Sequence, residues 1–317
     1  MKALVIGGAG FIGSTLCEAL LDAGDEVFCV DNFSLGKPQN VEHIIDRANL
    51  YVIRCDVLNE REFNKVFKKI KPDYVYHLAA NSDIQASANN PEVEFRNTYS
   101  TTYRVLSAMR ENKTKRFFFA STSAVYGDKR NVKLDENTAN LEPVSYYGAA
   151  KLGSEALVSA FSYMNNLHSL VFRFPNVTGP RLTHGVIYDF INKLRKNKDT
   201  LEILGDGKQT KPYIYVKDLA DAIIQLRDVP QGVELYNIGV EGTTSVSEIA
   251  DIVCEEMQLH NVVYKYTGGE GGWKGDVPKF EYCVDKVHKA GWYAKYSSSE
   301  AVRKSVQDAL AGEKKHV

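Results

Sequence analysis

The chain has 317 residues, 44% of them hydrophobic and 25% charged, and a formal net charge of −1. That balance describes an ordinary globule of one large or two modest domains, with no electrostatic footprint for nucleic acid or an anionic membrane. The five cysteines are scattered and odd in number, without a Cys-x-x-Cys pair, so neither a disulfide framework nor a zinc knuckle is indicated and no metal is expected.

Ala3-Leu4-Val5-Ile6 is an apolar run of buried-strand length that leads straight into Gly7-Gly8-Ala9-Gly10-Phe11-Ile12-Gly13. A helical pattern follows, with Leu16, Ala19, Leu20 and Ala23 on one face, and Gly24 stops it. Glu26-Val27-Phe28-Cys29-Val30-Asp31 reads as a second strand ending in a carboxylate. Strand, glycine turn, helix, strand and acid in this order are suited to a dinucleotide. Glycines let backbone N–H groups approach a pyrophosphate, and the helix N-terminus meets it with its positive end. Gly7, Gly10, Phe11, Ile12 and Gly13 are therefore candidate cofactor contacts, and Asp31 is placed to hydrogen-bond a ribose 2′-OH. A carboxylate there repels a 2′-phosphate, and no Arg follows it closely, so the expected cofactor is NAD rather than NADP.

Strands and helices go on alternating. Leu50–Ile53 is a third strand, and Asn59 with Glu62 caps a helix whose apolar face is Phe63, Val66, Phe67 and Ile70. Tyr74–Leu78 is a fourth strand, a helix is expected from near Pro91 to about Asn112, and Arg116–Ala120 is a fifth strand. A helix from Tyr147 to Met164 and a strand from Ser169 to Phe174 follow. This alternation predicts an α/β fold with a doubly wound parallel sheet. After Pro175 the texture changes to more Gly and shorter helices, among them one opened by the capping box Ser245–Glu248. The expected organisation is a dinucleotide-binding domain over 1–175, with a return segment near 213–240, and a smaller α/β substrate-binding subdomain over 176–317. The opening strand leaves no room for a signal peptide and no apolar run is long enough to cross a bilayer, so a cytoplasmic location is expected.

Tyr147 and Lys151 lie four apart on one helix face, and the preceding strand ends in Ser121-Thr122-Ser123. Ligands of doubly wound sheets lie beyond the carboxyl ends of the strands, where a phenol, an ammonium and a hydroxyl can converge beside a nicotinamide. Such a set oxidises a secondary alcohol: a tyrosinate takes the O–H proton, and Lys151 and the cofactor's positive charge are expected to lower the phenol's pKa for that task. His77, inside a strand, reads as structural. Trp273 and Tyr213 are candidates either to flank a sugar or base or to pack the smaller subdomain.

The glycine turn, Asp31-Asn32, Asp56-Val57, His77-Leu78-Ala79-Ala80, Ser121-Thr122-Ser123-Ala124-Val125-Tyr126-Gly127, Tyr147-Gly148-Ala149-Ala150-Lys151 and Arg173-Phe174-Pro175-Asn176-Val177 occur in that order. As an ordered set spanning nearly the whole chain they resemble the extended short-chain dehydrogenase/reductase family, specifically its nucleotide-sugar epimerases and dehydratases, which carry a Rossmann domain. The resemblance implies Thr122, Tyr147 and Lys151 as catalytic residues. It implies adenosine contacts at Asp31, Asn32, Asp56 and Val57, a wall beside the cofactor phosphates at Leu78, Ala79 and Ala80, and further cofactor contacts at Asn97, Tyr147, Lys151 and Pro175. Ser123, Asn176, Lys211 and Tyr213 are the implied substrate contacts. Lys211 stands where relatives usually carry a diphosphate-binding Arg, which turns a bidentate clamp into a point charge. The dehydratases carry Asp-Glu after the catalytic Thr, and here those positions are Ser123-Ala124. The resemblance therefore implies NAD-dependent chemistry at C4 of a nucleotide-diphosphate sugar. A 4-epimerase is favoured, a 4-dehydrogenase or ketoreductase is the alternative, and a non-catalytic NAD-binding protein is a third reading. It also implies a homodimer built on the helices near 91–112 and 146–164.

Overall fold

In the computed structural model the described residues are 1–81, 87–130, 132–272 and 275–313. The chain forms two compact units. The first comprises Met1–Val125, Leu141–Arg173 and Ala220–Tyr236; the second comprises Tyr126–Asn140, Phe174–Leu219 and Asn237–Val317. Tyr126–Asn140 thus joins the second unit although it lies inside the stretch 1–175.

The first unit is built from β1 (Lys2–Ile6), α1 (Phe11–Asp22), β2 (Glu26–Asp31), β3 (Leu50–Arg54), α2 (Glu60–Ile70), β4 (Tyr74–His77), α3 (Thr101–Asn112), β5 (Arg116–Thr122), α4 (Tyr146–Asn165), β6 (His168–Phe174) and β7 (Gly232–Asn237). The strands form one sheet in the order β7-β6-β5-β4-β1-β2-β3, flanked by helices, a doubly wound Rossmann-like arrangement. The pairings from β3 through β2, β1 and β4 to β5 are parallel. A parallel sheet covered on both faces needs continuous apolar strands. Accordingly Ala3, Leu4, Val5 and Ile6 of β1 are all buried, as is every residue of β4. On β4 and β5 the aromatic side chains of Tyr74, Tyr76, Phe117, Phe118 and Phe119 fill the core, with Tyr74 and Tyr76 stacked at 4.4 Å. β1 pairs with β2 on one side and β4 on the other, so the chain winds outward to β3 and then crosses back. Beside β1 the strand order reverses, which in open α/β sheets is where ligands bind.

α3 is preceded by a helical turn over Glu92–Glu94 and a π-helical segment over Phe95–Ser100. One helix from near Pro91 to Asn112 was expected; the wider i→i+5 turn interrupts it, and such segments concentrate at functional sites.

The second unit packs Ile187, Phe190, Ile191 and Leu194 of the helix Val186–Lys196 with Leu201, Ile203, Ile249, Val253, Val302 and Val306. Its strands are short and paired in twos, among them the parallel pair Asn176–Thr178 with Tyr213–Tyr215. The capping box of Ser245 and Glu248 opens the helix Val246–Glu256. No described helix is long and apolar enough to cross a membrane.

Candidate active site

The glycine turn shows its purpose in what a Cβ would strike. At Gly7 (φ +82°) a Cβ would stand 2.7 Å from Ala79 N, and at Gly13 it would stand 2.1 Å from Gly7 O. β1, α1 and the loop after β4 can approach this closely only without side chains. That loop is held in place because Leu78 N and Ala79 N both donate to Ile6 O, at 2.9 and 3.0 Å. Gly10 is the N-cap of α1 and no side chain caps the helix, whose first turn carries Phe11, Ile12 and Gly13. An α-helix leaves its first N–H groups unpaired, so this end offers donors and a positive dipole to an anion. Asp31, 7% exposed at the end of β2, accepts from Ala9 N at 3.0 Å and Phe33 N at 2.8 Å, while burial pushes its carboxyl up. Two donors do not exhaust a carboxylate's acceptor capacity, so a sugar hydroxyl can still be received. Asn32 Nδ2 donates to Asp56 Oδ2 at 3.4 Å, and Val57 beside it is buried. An uncapped helix end, a turn that only glycine can make and an acid at the next strand end together fit NAD.

Thr122 closes β5 and Tyr147 lies in the first turn of α4, whose N-cap Ser145 accepts from Gly148 N at 3.1 Å. A Cβ at Gly148 would lie 2.5 Å from Ala124 O, so the glycine lets the helix start against the β5 exit. The Thr122 hydroxyl lies near enough to the Tyr147 phenol to favour its anion. Lys151, one turn on and 2% exposed, donates from Nζ to Ala120 O at 2.7 Å, with its ammonium 5.9 Å from the Tyr147 ring centre and 4.9 Å from that of Phe119. Burial lowers Lys151 to about 8, against the pull of Glu94 and Glu155. Ser123 is half-buried in the single 3-10 turn that follows β5.

One electrostatic expectation is corrected. Lys151 and the cofactor's positive charge were together expected to depress the Tyr147 phenol; within the fold itself burial pushes the phenol well above its ordinary value, Glu94 adds to the rise, and Thr122 opposes it. Desolvation of the anion dominates, and the Lys151 ammonium is turned to Ala120 O. Asn97 is exposed on the π-helical segment, and Thr98, 1% exposed, is turned inward in its place. His77 is fully buried, bonds Thr102 Oγ1 through Nε2 at 3.1 Å and is lowered to about 3 by burial and, secondarily, by Lys151, as befits a structural histidine.

Within the second unit Asn176 and Tyr213 are register partners, and an Asn176 hydrogen bond opposes the burial that pushes the Tyr213 phenol up to about 12. Lys211 is not a free cation: its Nζ lies 2.5 Å from Asp276 Oδ1. Pro175 is buried, in contact range of a Cβ at Gly239. Trp273 lies outside the described residues. The residue that sequence reasoning missed is Glu94, a fully buried carboxylate on the turn before the π-helical segment. Nothing distinguishes it in sequence from the exposed Glu92 two residues earlier.

The chain is similar in fold along its whole length to the crystal structure of a Thermotoga maritima UDP-glucose 4-epimerase with UDP-glucose (TM-score 0.89, 29% identity, 99% of this chain and 100% of that one). It is likewise similar to a Thermus thermophilus UDP-glucose 4-epimerase in complex with NAD (TM-score 0.87, 28% identity, 97% and 98%). UDP-glucuronic acid decarboxylase 2 of Arabidopsis thaliana is 30% identical over 317 residues, covering 97% of this chain and 68% of the relative. The model of the NAD-dependent epimerase/dehydratase family matches residues 3–239. With the glycine turn, the acid at the end of β2 and the phenol–ammonium pair all present, the chain belongs to that family of NAD-using enzymes of the short-chain dehydrogenase/reductase type.

Proposed function

We propose that the chain is a nucleotide-sugar 4-epimerase. The observation that carries this reading is the hydroxyl–phenol–ammonium set of Thr122, Tyr147 and Lys151 at the β5 exit. Bound NAD supplies a hydride acceptor, a ring of positive charge and, in the reverse sense, a hydride donor. The chain's residues do the rest. Tyr147 Oη takes the O4 proton as C4 is oxidised and gives it back when the ketone is reduced from the other face. Thr122 aligns the sugar hydroxyl with the phenol. Lys151, anchored on Ala120 O, lies against the phenol ring and attracts its anion. A pKa near 8 leaves Lys151 mostly charged at neutral pH.

Gly7, Gly10, Phe11, Ile12 and Gly13 are the proposed pyrophosphate cradle, with Asp31, Asn32, Asp56 and Val57 on the adenosine. Leu78, Ala79, Ala80, Asn97 and Pro175 are proposed beside the rest of the cofactor, and Ser123, Asn176, Lys211 and Tyr213 on the sugar nucleotide. Ser123-Ala124 supplies neither the acid nor the base of a dehydratase, which supports simple oxidation and re-reduction at C4. A homodimer is part of the proposal.

The test is incubation of purified protein and NAD with a panel of nucleotide sugars, UDP-glucose first, following sugar products by chromatography and NADH at 340 nm. A C4 epimer without net NADH is expected. Stoichiometric NADH or a released keto sugar would make the enzyme a dehydrogenase, and tight NAD with no turnover a sensor. Tyr147→Phe removes the proton acceptor and leaves the ring, so turnover should fall about 10²–10⁴-fold with NAD affinity nearly unchanged.

A further inference from the structure

Glu94 is 1% exposed, and no part of the chemistry above uses it. Its two oxygens are each engaged by a donor: Asn81 Nδ2 on Oε1 at 2.7 Å and Thr98 Oγ1 on Oε2 at 2.7 Å. Thr98 Oγ1 in turn accepts from Asn81 N at 3.2 Å, which closes a small buried ring of three residues. Each of the three is at most 5% exposed. Asn81 directly follows Leu78-Ala79-Ala80, the loop whose backbone rests on Gly7. Thr98 is the inward residue of the π-helical segment, and Glu92–Glu94 and Phe95–Ser100 both pack against α4, the helix of Tyr147 and Lys151. One carboxylate therefore joins the loop behind the glycine turn to the segment that packs against the catalytic helix.

Two neutral bonds of this kind need only an amide or a hydroxyl as acceptor. A buried carboxylate is costly, so the charge itself needs an explanation. Its reach supplies one: Glu94 acts on both Tyr147 and Lys151. Among the described residues, Glu155 and His77 also interact electrostatically with Lys151. Glu155, one turn beyond Lys151 on α4, is paired with Arg173 of β6 at 2.6 Å, and His77 of β4 is neutral at working pH.

We propose that Glu94 is a positioning residue of this active site, whose carboxylate latches the Ala79–Asn81 loop to the π-helical segment and sets a fixed negative charge beside Tyr147 and Lys151. The inference rests on the reading of Tyr147 as proton acceptor. Its consequence is a division of labour: Thr122 and the ammonium favour the tyrosinate, while Glu94 holds the phenol protonated and Lys151 charged until a substrate and a cationic ring are both in place.

The test is Glu94→Gln, which keeps the size and one acceptor and removes the charge. Two readouts apply: the acid limb of the kcat/KM profile, and tyrosinate absorbance in the unloaded protein, taken as the difference from Tyr147→Phe. Removing a like charge stabilises the phenolate, so both should move to lower pH by roughly one unit. Glu94→Asp, which keeps the charge, should restore the wild-type position. Glu94→Ala, which cuts the latch, should weaken NAD binding by fluorescence titration about tenfold. A Gln variant that only melts earlier, with limb and absorbance where the wild type has them, would overturn the proposal and leave Glu94 a structural tie. Should Glu94→Gln fold poorly, Thr98→Val tests the latch through the same NAD titration, and unchanged affinity there would overturn it too. If Tyr147→Phe turns over normally, it is the underlying reading that fails, which separates the two.

Discussion

At the scale of single residues, burial decides which groups carry charge. His77 shows this most plainly. Its ring is enclosed beneath α3, and the Thr102 hydroxyl already donates to Thr98 O at 2.8 Å, so Nε2 must be the donor in its bond to Thr102 Oγ1. A folded pKa of about 3 lies well below the ordinary 6.5. The unfolded chain therefore binds the extra proton first as pH falls. The stability this histidine contributes is full above about pH 6.5 and shrinks by about 1.4 kcal/mol per pH unit from there towards pH 3. Urea unfolding at pH 7, 6 and 5 should show that slope in the wild type, and it should be shallower in His77→Asn, which keeps a donor for Thr102 without titrating. Equal slopes would mean that His77 is not kept neutral in the fold. Residue identities such as Thr122, Tyr147 and Lys151 could be read from sequence because their spacing on a strand end and a helix turn fixes their directions. Glu94 could not, because burial of a helical glutamate depends on Asn81 and Thr98 arriving from other elements. The sign of the Tyr147 shift was out of reach for the same reason, since desolvation is a property of the packed site.

At the scale of elements, signals written into a few adjacent residues were legible and long-range ones were not. The cap of Asn59 on α2, at 3.3 Å from Glu62 N, and the Ser245–Glu248 box are local chemistry and appear where the pattern puts them. The π-helical segment has no such local signature: an i→i+5 turn uses the same residue types as an α-turn, and its insertion depends on what the inward side chain must reach. The glycine turn lies between these cases. Its pattern announces a tight turn, but the structure shows that Gly13 works by letting α1 sit on the carbonyl of Gly7. Gly13→Ala puts a methyl 2.1 Å from that oxygen, so α1 must move off β1. A loss of about 1–3 kcal/mol is expected from overpacking a closely packed backbone. Because the displaced element carries the N–H groups proposed to hold the pyrophosphate, the rise in melting temperature expected from saturating NAD should largely vanish as well. Gly24→Ala is the control. Unlike Gly13 it has positive φ, and no atom lies within 4 Å of its Cβ position, so stability should fall while the shift with NAD persists.

At the scale of the whole molecule, the alternating pattern up to Phe174 announces the doubly wound sheet, whereas the membership of Tyr126–Asn140 in the second unit rests on contacts far apart in sequence, such as Tyr126 Oη donating to Asn237 Oδ1 at 2.7 Å and the pairing of Leu134 with Tyr282. What the first unit leaves uncovered bears on assembly. Phe95, Tyr99 and Tyr103 recur every four residues along the π-helical segment and α3; Phe95 stacks on Tyr99, and Tyr103 meets Phe161 of α4 edge-on. Phe95 is 56% exposed and Tyr103 43%, and Gly153 of α4 leaves room for the Tyr99 ring. Aromatic surface of this kind, presented by two neighbouring helices, is what a second copy can cover, since equivalent helix pairs meeting about a two-fold axis bury the same patch twice. Light scattering on the eluting protein should then give twice the chain mass of 35.5 kDa. Tyr103→Glu puts a charge at one end of the stripe, beside Phe161, and desolvates it on docking, so the variant should elute as a monomer. The side chain is exposed in the isolated fold, so the monomer should still melt cooperatively and bind NAD. A wild type that runs at the mass of one chain at micromolar concentration would instead leave these rings exposed to water, and the helices would need another occupant.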